Sequence, residues 1–161
     1  MLKFIFVPHP RTEDNVKQSV IPGIAQIDFS KYVYGLVDYL KDSYPLYSNK
    51  VELIVNTKDV SLGLNKAISC GLIINELVSN SYKYAFEPNK KGKIIVELFR
   101  KNDEFYILSV EDNGKGFPEK IDFQNTESLG MIIVNSFVDQ LEGTIELNRV
   151  KGTKFIITFP A

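Results

Sequence analysis

Asn75–Phe86 reads NELVSNSYKYAF, a stretch in which polar and charged side chains recur among apolar positions. Glu76, Asn80, Lys83 and Tyr84 are spaced at three and four residues, so they share one stripe of a predicted helix. The neighbouring positions are apolar, and a carboxylate and an amide buried beside them without partners would cost several kcal/mol. A bound ligand would supply those partners. The alternative is that the charged groups are solvated and Asn80 bonds its own backbone.

The patterns around this helix predict the remaining elements. Helices are expected over about Asp28–Tyr44, about Leu64–Phe86 and Leu129–Leu141, the first capped by Asp28 or Ser30. Strands are expected over Val51–Thr57, Gly92–Arg100, Glu104–Asp112, Thr144–Val150 and Thr153–Phe159. Apolar helix faces and hairpin-rich strands are satisfied together by a two-layer α/β (α+β) sandwich. In it, helices cover one face of a mixed, mostly antiparallel sheet.

A second motif, EDNGKGFP, occupies Glu111–Pro118. Asp112 stands where a hydrophobic strand stops, and Gly114 and Gly116 follow in positions where glycines are expected to adopt strained turns. A carboxylate presented at this rim of the sheet is able to accept a hydrogen bond from an exocyclic amine such as that of adenine. An Asx-type turn made by the same residues is the competing interpretation.

A third motif, SLGM, follows the polar stretch Glu119–Ser128. Gly130 opens a helix there, and backbone N–H groups at a helix start attract phosphate, so the polar stretch is a candidate lid. An asparagine oxygen suits Mg²⁺, and Lys83 would add positive charge toward phosphates. Thr153, which follows Gly152 at a strand start, would reach a ligand through water. The motifs together predict a Mg²⁺-dependent nucleotide site.

Composition limits the classes of function. The net charge of −1 and pI near 5.9 offer no global field for nucleic acid or an anionic membrane. No apolar run approaches the ~18 residues of a membrane span, so a cytoplasmic chain or the cytoplasmic part of a larger sensor is expected. Cys70 is interpreted as a buried hydrophobe. Residues 1–26 are interpreted as a leader that is either loosely attached or partly introduced by cloning, and residues 27–161 as one domain.

The motif order NELVSNSYKY, DNGKGFP, SLGM and GTKF resembles the ATP-binding domain shared by sensor histidine kinases, gyrase-type topoisomerases, heat-shock-90 chaperones and mismatch-repair ATPases. Within that superfamily, GLIINELVSNSYKYAF and GTKFIITFP are similar to bacterial and archaeal histidine kinases. The resemblance implies the Bergerat-type fold with ATP and Mg²⁺ as cofactors. It also implies γ-phosphoryl transfer to a histidine on a dimerisation domain, with a response regulator engaged indirectly and no nucleic-acid partner.

The resemblance further implies roles for individual residues. It makes Asn80 the Mg²⁺ ligand, Lys83 a phosphate contact, Tyr84 the ring beside adenine and Asp112 the adenine-specifying carboxylate. Glu76 would assist the incoming histidine. The remaining matches are glycine-box positions and a threonine near adenine, namely Gly114, Gly116, Gly130 and Thr153.

One departure from the family pattern concerns the phosphate acceptor. The only histidine is His9, which lies in PHPRT without the helical hairpin that carries an acceptor histidine. The sequence therefore resembles a catalytic domain without its dimerisation helices. Two alternatives stay open: a serine kinase of the anti-sigma-factor type, and a nucleotide-binding interaction module without turnover.

Overall fold

The computed structural model describes residues 26–48, 50–57, 60–87 and 90–161. The strands are β1 (Gln26–Asp28), β2 (Val51–Thr57), β3 (Ser61–Gly63), β4 (Gly92–Arg100), β5 (Phe105–Asp112), β6 (Thr144–Asn148) and β7 (Thr153–Pro160). The helices are α1 (Phe29–Ser43), α2 (Pro45–Ser48), α3 (Leu64–Asn80) and α4 (Leu129–Gln140). A π-helical turn, Ser81–Ala85, extends α3. Residues 1–25 of the predicted leader lie outside the described residues. The boundary of the leader therefore stays a prediction.

Local sequence accounts for both ends of α1. The Asp28 side chain accepts a hydrogen bond from the backbone N–H of Lys31 at 3.2 Å, which satisfies one of the free donors at the helix start. At the other end, Tyr44 precedes Pro45, a position that disfavours helical backbone. Val33, Val37 and Leu40 recur at three- and four-residue spacing along α1 and are buried where the helix packs on α3 and β2.

Five strands form one mixed sheet in the order β2-β4-β5-β7-β6. Only β2 and β4 are parallel, and α3 lies in the connection between them. The side chains that alternate toward the helices are buried and form the core with α1, α3 and α4. The opposite face is more polar and carries an ion pair between Lys154 and Glu111 at 2.8 Å. The predicted two-layer α/β sandwich is confirmed.

The sequence prediction missed several short features. β1 and β3 pair as a separate two-stranded sheet, and three-residue strands are too short to show an alternating pattern. β6 ends at Asn148 instead of the predicted Val150, because the Asn148 side chain accepts the Val150 N–H at 2.9 Å and turns the chain out of the ladder. Within the described part of the chain, no helix combines the length and apolar content needed to cross a membrane.

Candidate functional site

A cleft of about 330 Å³ opens at the end of the sheet where β5 stops and β7 begins. The end of α3 with its π-helical turn forms one wall, and the loop 113–128 with the first turn of α4 forms the other. Its apolar lining includes Leu77, Val110, Met131 and Phe155. A planar apolar group with one polar edge suits such a site, because the polar lining is confined to a few positions.

Asp112 lies buried in the cleft wall, with only 3% of its surface exposed. Its Oδ2 accepts a hydrogen bond from the Ser81 hydroxyl at 2.9 Å, and its Oδ1 accepts from the Gly114 N–H at 3.0 Å. Burial raises the pKa of this carboxyl, while the hydrogen bonds from Gly114, Ser81 and Thr153 act in the opposite direction. The Gly114 bond is the Asx-type turn of the competing interpretation, so turn formation and placement in the cleft coexist.

Three glycines allow the backbone to close around Asp112. Gly116 and Gly152 have left-handed φ values of +87° and +95°. Gly114 does not, so the expected strained turn is wrong there. Gly114 is needed for space, since a Cβ at that position would overlap the Ala85 carbonyl. A Cβ at Gly152 would likewise overlap the carbonyl oxygen of Asp112 itself, a close approach that a simple hairpin turn does not predict.

Asn80 lines the opposite part of the cleft from the end of α3. Its side-chain amide forms no hydrogen bond with any residue that the structure describes, so the alternative in which it bonds its own backbone is wrong. A Cβ at Gly130 would lie 3.6 Å from Asn80 Nδ2 and 3.0 Å from Glu76 Oε2. The start of α4 therefore lies beside both side chains, and glycine leaves room there.

The remaining predicted site residues lie at different depths. Tyr84, Gly116 and Thr153 line the cleft together with Asp112 and Asn80. Glu76, Lys83, Gly114 and Gly130 are not among the lining residues. Glu76 is half-buried and accepts a 3.2 Å hydrogen bond from Asn75, whereas Lys83 is exposed and forms no ion pair within the described ranges. Their roles toward a ligand stay predictions.

Sequence reasoning missed Ser81, which is buried, lines the cleft and donates to Asp112. A small polar residue directly after Asn80, on an otherwise apolar helix, was the available signal. The Ser81 hydroxyl also lies 3.1 Å from the Leu77 carbonyl, an i−4 contact that competes for a helical acceptor where α3 widens into its π turn. Lys115, Thr126 and Ser128 also line the cleft without having been predicted.

The candidate lid, Glu119–Ser128, is irregular and anchored at its middle. The Phe123 ring packs edge-on against Phe155, with ring centres 5.5 Å apart. The Phe123 carbonyl also accepts a 2.9 Å hydrogen bond from the Asn135 side chain of α4. Thr126 and Ser128 lie beyond this anchor, on the cleft side of the first turn of α4.

Comparison with known proteins agrees with this geometry. A blue-light-activated histidine kinase of Erythrobacter litoralis is 32% identical over 103 residues, which are 64% of this chain and 29% of the relative. The sensor histidine kinase PdtaS of Mycobacterium tuberculosis is 26% identical over 102 residues, which are 62% of this chain and 20% of the relative. The chain thus spans less than a third of either relative.

Solved structures show the same fold. The Erythrobacter litoralis blue-light-activated histidine kinase EL346 matches with a TM-score of 0.74 and 24% identity, over 83% of this chain and 45% of that one. The Acinetobacter baumannii histidine kinase AdeS matches with a TM-score of 0.69 and 20% identity, over 84% of this chain and 66% of that one. The model of the histidine kinase-, DNA gyrase B- and HSP90-like ATPases matches residues 65–161, and the chain belongs to this family.

Proposed function

We propose that this chain is the ATP-binding catalytic domain of a sensor histidine kinase, which transfers the γ-phosphoryl group of Mg²⁺-ATP to a histidine on another domain. One observation carries the proposal: a single cleft holds a buried carboxylate, Asp112, and an amide, Asn80, that has no partner among the described residues, with an apolar lining between its polar groups. Membership of the ATPase family supports ATP as the ligand.

Asp112 would select adenine through hydrogen-bond polarity. The Ser81 hydroxyl, the Gly114 N–H and Thr153 already donate hydrogen bonds to Asp112, so the carboxylate is fixed in orientation. An ionised carboxylate only accepts, and it would therefore receive the exocyclic amine of adenine and repel the carbonyl oxygen that guanine carries at the same place. The apolar lining would hold the two faces of the base, and the exposed Tyr84 ring would cover its outer edge.

Asn80 and the start of α4 would hold the phosphate end. The described residues contain no cluster of three His, Cys, Asp or Glu side chains, so a metal would be held by the Asn80 oxygen together with phosphate oxygens and water. The free amide of Asn80 and the space left by Gly130 fit such a group. Bound Mg²⁺ would neutralise phosphate charge, which is the principal electrostatic requirement of phosphoryl transfer. Lys83 would add a mobile cation from outside the cleft.

The acceptor would be a histidine of a dimerisation domain of the same kinase, and a response regulator would receive the phosphoryl group afterwards. The imidazole nitrogen forms a bond to the γ-phosphorus, the bond from that phosphorus to the bridging oxygen breaks, and ADP leaves. Glu76, half-buried beside Asn80, would accept the imidazole proton. The two alternatives, a serine kinase and a module without turnover, are not favoured, because the relatives named above are sensor histidine kinases.

The test begins with calorimetric titration of a non-hydrolysable ATP analogue, with and without Mg²⁺. We expect Mg²⁺-dependent binding that Asp112→Asn weakens and Asp103→Asn leaves unchanged, since Asp103 lies exposed in the β4–β5 turn. Transfer from γ-labelled ATP to an added dimerisation domain should then give an acid-labile, alkali-stable phosphohistidine. Absence of Mg²⁺-dependent binding, with Asp112→Asn altering nothing, would refute the proposal. Label on serine would instead support the anti-sigma-type alternative.

A further inference from the structure

Arg149 connects the β6–β7 turn to the far wall of the cleft without lining the cleft itself. Its guanidinium lies over the Phe117 ring, with Cζ 5.7 Å from the ring centre. Its Nη2 donates a hydrogen bond to the Ile121 carbonyl at 3.3 Å. Phe117 and Ile121 both line the cleft, so one exposed side chain contacts the cleft loop just before the lid, at Phe117, and within the lid, at Ile121.

The surroundings of Arg149 strengthen this connection. The Phe117 ring packs at right angles on Phe155, with ring centres 5.7 Å apart, so it is held between a core aromatic and the guanidinium. Hydrogen bonds from Asn125 and Gln124 hold the pKa of Asp122 below its usual value, and the charge of Arg149 acts in the same direction. The guanidinium therefore contacts a ring and a carbonyl of the cleft loop, and its charge acts on the Asp122 carboxylate of the same loop.

We propose that Arg149 is a positioning residue that fixes the lid over the cleft and thereby slows release of the bound nucleotide. The second part of this proposal rests on the proposed function. A planar guanidinium can stack on Phe117 while an in-plane N–H reaches the Ile121 carbonyl, whereas an ammonium cannot make both contacts in the same manner. The β6–β7 turn would then influence nucleotide retention from outside the binding site.

Four proteins test the proposal: the unaltered chain, Arg149→Ala, Arg149→Lys and the control Lys151→Ala. Lys151 carries the same charge on the same turn, is exposed, and forms no hydrogen bond or ion pair with any residue that the structure describes. The measurements are the dissociation rate of a fluorescent ATP analogue in Mg²⁺, hydrogen exchange of residues 119–128 without nucleotide, and the thermal midpoint.

We expect Arg149→Ala to raise the dissociation rate about three- to tenfold, where tenfold corresponds to about 1.4 kcal/mol. In Arg149→Ala, hydrogen exchange in the lid should accelerate while exchange in α1 stays unchanged. The dissociation rate and lid exchange of Arg149→Lys should lie between those of the unaltered chain and Arg149→Ala. Lys151→Ala should match the unaltered chain.

Two outcomes would overturn the inference. In the first, Arg149→Ala leaves lid exchange and dissociation at the unaltered values. In the second, exchange accelerates equally in α1 and the lid, which would show general destabilisation. If the unaltered chain binds no nucleotide, the proposed function fails, and lid exchange in the free protein still decides whether Arg149 positions the lid.

Discussion

Replacement of Asp112 by asparagine separates nucleotide recognition from folding. Asparagine has nearly the same shape, so its amide oxygen can keep the Gly114 N–H bond now made by Oδ1. Its NH₂ group would then take the place of Oδ2 and face Ser81. The Ser81 hydroxyl can turn its proton to the Leu77 carbonyl, 3.1 Å away, and accept from the new amide. The variant should therefore fold with its hydrogen bonds to Gly114 and Ser81 kept.

The same substitution should weaken adenine binding strongly. The NH₂ group cannot accept the exocyclic amine, and both groups would be left as donors facing each other in a buried site. Hydrogen bonds to charged groups contribute about 1.5–3 kcal/mol, which corresponds to a loss of about 10- to 100-fold in affinity. Calorimetric titration of an ATP analogue measures this loss, and Asp103→Asn serves as the matched control on the exposed β4–β5 turn.

The pH dependence of stability gives an independent check on Asp112. Because burial raises its folded-state pKa, ionising this group costs folded-state stability, and the cost appears as pH rises through the folded pKa. The difference in unfolding free energy between Asp112→Asn and the unaltered chain should favour the variant most above that pKa. It should shrink on acidification and level off below the ordinary aspartate pKa of about 3.9. Urea unfolding at several pH values measures it.

Two results would refute this reasoning. Unchanged nucleotide affinity in Asp112→Asn would show that the carboxylate does not hold the ligand. A stability difference that moves further in favour of the variant on acidification would show that the folded state lowers the pKa of Asp112, contrary to the effect of burial.

Further experiments test the phosphate end of the cleft, the glycines and the buried thiol. Asn80→Ala should remove the Mg²⁺-dependent part of nucleotide affinity, as chelation of the metal should in the unaltered chain. The variant should lose little stability, because this amide has no partner among the described residues. Calorimetry measures the affinity, and thermal unfolding measures the stability. Gly152→Ala should destabilise the folded protein by about 1–3 kcal/mol or more in urea unfolding, because this position combines a left-handed φ with overlap on Asp112. Gly35→Ala, in open space on α1, should stabilise the folded protein by about 0.5–1 kcal/mol. Burial raises the pKa of the Cys70 thiol to about 12, so a thiol reagent should modify it only after unfolding, as absorbance of the released group would report.

Periodicity along the chain was sufficient to predict the layers of the fold. The β2 and β4 bounds agree with the sequence prediction at both ends, because each strand is rich in Val, Ile and Leu and ends at a polar or glycine boundary. The small β1–β3 sheet has no such signal, since three residues per strand give no period. The π turn after α3 was also not predicted, because local sequence does not distinguish a widened helical turn from a regular one.

The sequence predicted the polar residues of the candidate site, but it did not predict the residues that hold them in place. Asp112 and Asn80 could be found because each interrupts an apolar run with a polar group that needs a partner. The role of Ser81 depends on an interaction across 31 positions, and the role of Gly152 depends on strand pairing that brings it onto Asp112. Long-range contacts of this kind have no trace in residue spacing. Arg149 belongs to the same class.

A crystal structure of this chain with a non-hydrolysable ATP analogue and Mg²⁺ tests the central claim most directly. We expect the exocyclic amine of adenine to lie within hydrogen-bond distance of the Asp112 carboxylate. We also expect the Asn80 side-chain oxygen to be a ligand of the Mg²⁺ that binds with the phosphates. A nucleotide bound outside this cleft, or one bound in it with the base at Asn80 and the phosphates at Asp112, would contradict the account.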